Sequence, residues 1–166
     1  MIHHPKSIEV DLPCGVFYNL QNLILDLNGT MTVDGKWIDG VVERLQEIVK
    51  LLNVYILTAD TNQTLAELTE PLAEKYMIRA IRLEPGRGDI QKLEFLRELG
   101  RENTVAIGNG CNDALMLKDA ALGICVIGAE GASVNAMTSS KMVALNICDA
   151  LDLFLKPSRL IATLRK

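Results

Sequence analysis

The chain has 166 residues, 49% of them hydrophobic, and a formal net charge of −4. That length predicts one domain, residues 1–166, with enough apolar material for a sizeable core. The acidic balance and the lack of a basic block argue against a nucleic-acid-binding face, and no run reaches the roughly 18 apolar residues that span a bilayer.

In chain order, Ile8-Glu9-Val10-Asp11-Leu12 alternates as a strand does, Pro13-Cys14-Gly15 turns, and Val16-Phe17-Tyr18 leads into a buried strand over Leu20–Asp26. This predicts an N-terminal β-hairpin beside the first core strand. Asp34-Gly35 between Met31-Thr32-Val33 and Lys36-Trp37-Ile38 predicts a tight hairpin, a small flap over the end of that strand. Asp39 is placed to cap a helix with Val41, Leu45, Ile48, Val49 and Leu52 on one face. Val54–Leu57 reads as a buried strand. A helix from about Asn62 to Tyr76 carries Leu65, Leu68 and Leu72 and has Asp60 as a candidate cap. Ala80–Leu83 is a third strand. Asp89 is placed to cap a helix carrying Ile90, Leu93, Leu96 and Leu99, which Gly100 stops. Thr104–Ile107, Leu122–Ile127 and Met142–Leu145 complete the strands. Short helices are expected through Lys118 and over Gly131–Thr138. A last helix runs from Asp149 to a break at Pro157. Strand and helix alternate, so the expected fold is α/β, a doubly wound, mostly parallel, Rossmann-like sheet.

The four cysteines (Cys14, Cys111, Cys125, Cys148) are far apart without a CxxC, as reduced thiols in a cytoplasmic protein would be. His3-His4 reads as a frayed terminus rather than a metal site.

Polar residues gather at predicted carboxyl ends of strands, where open α/β sheets place ligands. Asp26 is followed by Leu27-Asn28-Gly29-Thr30-Met31-Thr32. Thr58 follows the second core strand in Leu57-Thr58-Ala59-Asp60. Gly108-Asn109-Gly110-Cys111-Asn112-Asp113-Ala114 follows the fourth. Lys92 lies on the helix entering that strand, with Arg87 and Lys118 as alternative basic groups. A carboxylate to attack, a hydroxyl to hold an oxygen, an ammonium to offset charge and a second carboxylate to hold a cation are what phosphoryl transfer uses.

The order and types of these residues resemble the four motifs of the haloacid-dehalogenase-like (HAD) phosphohydrolases over about residues 22–145. The most similar group is the soluble, P-type-ATPase-like HAD proteins, with DKTGT, LTGD and GDGxNDA as their motifs. The resemblance implies a Mg²⁺-dependent hydrolase. Asp26 would be the nucleophile that becomes an aspartyl phosphate, and Thr58 and Lys92 would bind the phosphoryl group. Asp26, the Asn28 carbonyl, Asn109 and Asp113 would serve the metal. The implied partner is a phosphorylated substrate, with neither nucleic acid nor membrane. Neither inter-motif gap has room for a cap domain. An open site would take a bulky substrate or be closed by another subunit of a homo-oligomer, as in the capless tetrameric sugar-acid phosphatases that this flap also resembles.

Two positions depart from the motifs. Asn28 stands where phosphatases of the family carry an aspartate as general acid and base, and an amide does not exchange a proton near neutral pH. Asn109 stands where a metal-binding aspartate is usual. The alternative to a slow enzyme is therefore a regulatory module that binds phosphate and metal with little or no turnover. A phospho-acceptor receiver domain also uses a strand-end Asp, a Thr and a Lys. Its acidic pair is missing here, and the two glycine-rich motifs fit it less well.

Overall fold

The computed structural model describes residues 6–59 and 64–166, except for the side chains of residues 64–67. His3, His4, Asp60 and the predicted helix start at Asn62 lie outside the described residues, as does the Leu65 side chain.

The strands of the core are β3 (Asn22–Asp26), β6 (Asn53–Thr58), β7 (Arg79–Arg82), β8 (Thr104–Gly108), β9 (Leu122–Val126) and β10 (Met142–Ala144). They form one parallel sheet in the order β10-β9-β8-β3-β6-β7. The chain runs outward from β3 through β6 to β7, then returns to the other side of β3 for β8, β9 and β10. The order therefore reverses between β3 and β8, and a crevice opens beyond their carboxyl ends.

Both faces of the sheet are covered, which is why β3, β8 and β9 are buried along their whole length. Side chains alternate between the faces. Leu23, Leu25, Val105, Ile107, Leu122 and Ile124 enter the core under α1 (Val41–Ile48), α6 (Ile147–Leu155) and α7 (Pro157–Leu164). Ile24, Ala106 and Cys125 face the opposite core, with Leu96 of α3 (Gly88–Leu99) and Met116 and Leu117 of α4 (Ala114–Asp119). On this face a Cβ at Gly123 would lie 2.0 Å from the Leu117 carbonyl oxygen, so the close approach of α4 requires a glycine. Helix α2 (Thr64–Tyr76) precedes β7, and α5 (Val134–Ser139) precedes β10. Among the described residues no helix is long and apolar enough to cross a membrane, and no cap domain interrupts the sheet.

The N-terminal hairpin is present as β1 (Ile8–Leu12) and β2 (Val16–Leu20), an antiparallel pair separate from the main sheet. Leu20 belongs to this hairpin rather than to the core strand. Gln21 separates the two, its amide donating to Asn103 and its carbonyl accepting from Asn53. The flap is β4 (Thr32–Val33) and β5 (Lys36–Trp37), turned by Asp34 at φ +51° and Gly35 at +72°. Positive φ at both central residues is what a two-residue hairpin with the sheet's own twist demands.

Three sequence expectations about helix ends change. Asp39 does not cap α1: Gly40, at φ +84°, is the residue before Val41 and no side chain caps the helix. The Asp39 carbonyl instead accepts from the Cys148 thiol. Asp89 lies inside the first turn of α3, paired with Arg87 at 2.7 and 2.9 Å, so it complements the helix dipole rather than capping the end. The last helical stretch starts earlier than Asp149: Asn146 caps α6 by accepting from the Asp149 amide. Pro157 ends the stretch by starting α7, at a position where no amide hydrogen is needed.

Candidate active site

Asp26 is the last residue of β3 and shares the face of Ile24, the one covered by α3. Lys92 and Leu96 are one helical turn apart on α3 and both are buried. That spacing turns the Lys92 side chain toward the sheet, and its ammonium reaches Asp26 Oδ1 and Asp113 Oδ1, each at 2.6 Å. Lys92 and Asp113 are 0% exposed. A fully buried lysine is rare unless paired, and here it is paired twice. Of the three basic candidates, Lys92 makes these contacts; Arg87 pairs with Asp89, and Lys118 is exposed.

The loop after β8 is shaped around the Asp113 carboxylate. Oδ2 accepts from the amides of Asn109 and Gly110 at 3.1 and 2.9 Å. A Cβ on Gly108 would lie 2.4 Å from this carboxylate, so the fold-back needs glycine. Both carboxylate oxygens of Asp113 are thus engaged, one by Lys92 and one by the loop.

The first loop joins this arrangement through Thr30. Its hydroxyl lies 3.2 Å from Asp26 Oδ2 and 3.2 Å from Asn109 Oδ1. Gly29 has φ +76°, and a Cβ there would meet the Asn109 amide nitrogen and the Glu130 carboxylate, each at 2.7 Å. Asn28 is exposed, and its side-chain oxygen lies 3.3 Å from the Thr32 hydroxyl at the base of the flap. Thr58 is buried at the end of β6, one position beyond Leu57, which lies beside Asp26 in the register.

Two carboxylates and one ammonium leave a net charge of −1 in a place largely shielded from water. Burial is the main force that pushes the Asp26 carboxyl up to about 6, Asp113 adds to it, and the contact with Lys92 opposes both. Burial acts to lower the Lys92 ammonium, but Asp26 and Asp113 outweigh it and hold its pKa above the ordinary lysine value.

The surplus negative charge and the all-oxygen donor set of Asp26, Asn109 and the nearby backbone suit a hard divalent cation. Among the described residues no three His, Cys, Asp or Glu side chains converge as a metal cage. Mg²⁺ does not require one, because it keeps waters and binds through one or two carboxylates together with substrate phosphate.

No motif spacing along the chain points to Glu130. It lies beyond the carboxyl end of β9, between Gly128 and Gly131, and the rule that gathers ligands at strand ends applies to it as much as to Asp26.

No family model matches this chain. It is 54% identical over 84 residues to the uncharacterized protein MJ0073 of Methanocaldococcus jannaschii, covering 48% of this chain and 90% of that protein. It is also 49% identical over 41 residues to the uncharacterized protein MJ0072 of the same organism, covering 25% of this chain and 93% of that protein. Among solved structures, the 3-deoxy-D-manno-octulosonate 8-phosphate phosphatase of Moraxella catarrhalis, in complex with magnesium, phosphate and KDO, superposes with a TM-score of 0.60 at 15% identity over 88% of this chain and 94% of that one. A putative HAD superfamily (subfamily III A) hydrolase from Legionella pneumophila gives 0.61 at 18% identity over 86% of each chain. A phospho-aspartyl intermediate analogue of phosphoserine phosphatase gives 0.62 at 14% identity over 89% of this chain and 99% of that one.

Proposed function

We propose that this chain, which has the haloacid-dehalogenase-like fold and belongs to the family of the archaeal protein MJ0073, is a Mg²⁺-dependent phosphohydrolase working through an aspartyl phosphate on Asp26. The observation that carries the proposal is the bridge of Lys92 between Asp26 and Asp113, at 2.6 Å to each, at the point where the strand order reverses.

The chemistry follows from the groups present. An Asp26 carboxylate oxygen attacks the phosphorus, the bond to the leaving-group oxygen breaks, and that oxygen takes a proton. Water then attacks the same phosphorus and the Asp26 carboxylate departs. Lys92 holds the Asp26 carboxylate in place and offsets charge on the transferring group, and Thr58 binds a phosphoryl oxygen. The cation would be held by Asp26, the Asn28 carbonyl and Asn109, with Asp113 acting through water because its oxygens are already engaged. It would supply charge neutralisation for the phosphate. The substrate is a phosphorylated compound that an open, capless site admits.

Asn28 favours a second reading, a phosphate- and metal-binding regulatory module. An amide provides no proton for the leaving group and no base for the water, so both must come from solvent. The test is phosphate release from p-nitrophenyl phosphate with Mg²⁺ and with EDTA. The hydrolase reading expects turnover that EDTA removes. General acid–base assistance is worth about 10²- to 10⁴-fold, so Asn28→Asp should raise that turnover by about 10²-fold. A silent wild type with an active Asn28→Asp would favour the regulatory module. Silence from both would leave the phosphoenzyme unsupported.

The raised Asp26 carboxyl gives a pH signature. Below about pH 6 the folded protein carries Asp26 protonated, which removes both the nucleophile and a metal ligand. The rate should fall about tenfold per pH unit there, since one proton is involved. Cation and proton compete for the same carboxylate. Raising Mg²⁺ should therefore move the midpoint to lower pH, which a rate profile at two Mg²⁺ concentrations would check.

A further inference from the structure

The metal side of the site is short of charge. Asn109 is neutral, and Asp113 spends one oxygen on Lys92 and the other on two backbone amides. That leaves Asp26 as the one carboxylate facing a cation among the residues named so far. The connection from β9 to α5 brings another. Gly128 has φ +56°, and a Cβ on it would stand 3.3 Å from the Gly29 carbonyl oxygen, so this connection passes close over the first loop. A little further on it is also fastened to Asn109, at Gly131 and at Ser133. Asn109 Nδ2 donates to the Gly131 carbonyl at 3.2 Å, and the Ser133 amide donates to the Asn109 carbonyl at 2.8 Å. Glu130 lies between Gly128 and these two contacts.

Its carboxylate is turned inward. Oε2 lies 2.7 Å from the point a Gly29 Cβ would occupy, the same distance as Asn109 Nδ2. The missing side chain at position 29 lets the amide and the carboxylate approach the same piece of backbone. No hydrogen bond or ion pair ties Glu130 to another described residue. At this place the exposed Glu130 carboxylate adds negative charge beside the surplus already held by Asp26 and Asp113, and a divalent cation between the two loops would offset it.

We propose that Glu130 belongs to the divalent-cation site and supplies, directly or through a water, the negative charge that Asn109 lacks. The metal-binding charge has on this view moved from the loop after β8 to the loop after β9, which packs on it. The inference rests on the proposed metal-dependent site at Asp26 and adds a residue to it.

The test is binding of Mn²⁺ to the metal-free full chain, read by the electron paramagnetic resonance signal of free Mn²⁺, with Mg²⁺ calorimetry beside it. The variants are Glu130→Gln, Asp26→Asn and the double change Glu130→Gln with Asn109→Asp. Glu130→Gln should weaken binding about 10-fold, at the low end of what metal-site partners cost. Asn109→Asp in that background should restore it, because the carboxylate returns on the other loop. Unchanged affinity in Glu130→Gln, with affinity lost in Asp26→Asn, would overturn the role of Glu130 and leave the hydrolase reading standing. A wild type that binds neither cation at millimolar concentration would overturn both. Thermal unfolding of each metal-free variant controls for misfolding, and because Glu130 is exposed, Glu130→Gln should match wild type there.

Discussion

Asp26→Asn is expected to abolish phosphate release, by more than about 10³-fold, as removal of a covalent nucleophile does elsewhere. An amide at position 26 does not form the acyl phosphate, and the replacement would also remove the charge of the proposed metal ligand. The fold should survive, and its response to pH separates chemistry from structure. Asp26 has a folded-state pKa of about 6 against an ordinary 3.8. A carboxyl raised in this way contributes stability below pH 4, and that contribution is lost as pH rises through 6. Above pH 6 the metal-free wild type therefore carries a buried, ionised carboxylate that Asp26→Asn does not. A shift of about two pH units corresponds to at most about 3 kcal/mol, and the loss of one Lys92 partner in the variant reduces the gain. Denaturant unfolding at pH 7.5 without metal should show the variant at least as stable as wild type. At pH 4 the advantage should be gone. With Mg²⁺ present the order should reverse, because wild type gains binding energy that the variant lacks. A variant that is inactive and also much less stable at pH 7.5 would mean that Asp26 is a structural strand-end residue.

What the sequence made legible was the part of the fold governed by local chemistry. β3, β8 and β9 were readable because a fully buried parallel strand is a short apolar run, and the residues after such runs must sit at the crevice. The flap was readable because Asp34-Gly35 adopts positive φ at both positions. The helix starts differ from the expected caps Asp39 and Asp89 for a shared reason. Capping depends on the backbone angle of the residue next to the helix, and Gly40 and Arg87 hold that position instead. Leu20 reads as part of the core strand but belongs to the hairpin, because an apolar run does not reveal a change of sheet within it. The position of Glu130 follows from how one loop packs on another, through Gly29, Gly128 and Asn109. No spacing along the chain encodes that contact.

Lys92→Met is the substitution expected to cost the most stability, and the reason is charge rather than volume. Methionine is unbranched and fills much of the space left by the lysine stem. The ammonium, however, is shared by Asp26 and Asp113, and Lys92 and Asp113 are 0% exposed. Without it two neighbouring carboxylates repel each other in a buried site. Removing one partner of a buried ion pair typically costs about 3–5 kcal/mol. A solvated helix lysine at the same place would cost under about 0.5 kcal/mol, so urea unfolding at pH 7.5 distinguishes the two readings by a wide margin. The deficit should depend on pH in a fixed direction. Loss of the ammonium removes the contact that opposes the rise of the Asp26 carboxyl, so Asp26 takes a proton more readily as pH falls, and the variant should recover toward wild type between pH 7 and 5. Mg²⁺ should also restore part of the loss, since a cation replaces some of the missing positive charge. Activity should not recover with stability if, as proposed, Lys92 offsets charge on the transferring phosphoryl group. A Lys92→Met protein that is folded with Mg²⁺ yet turns over at the wild-type rate would remove Lys92 from the catalytic group and confine it to holding Asp26 and Asp113 together.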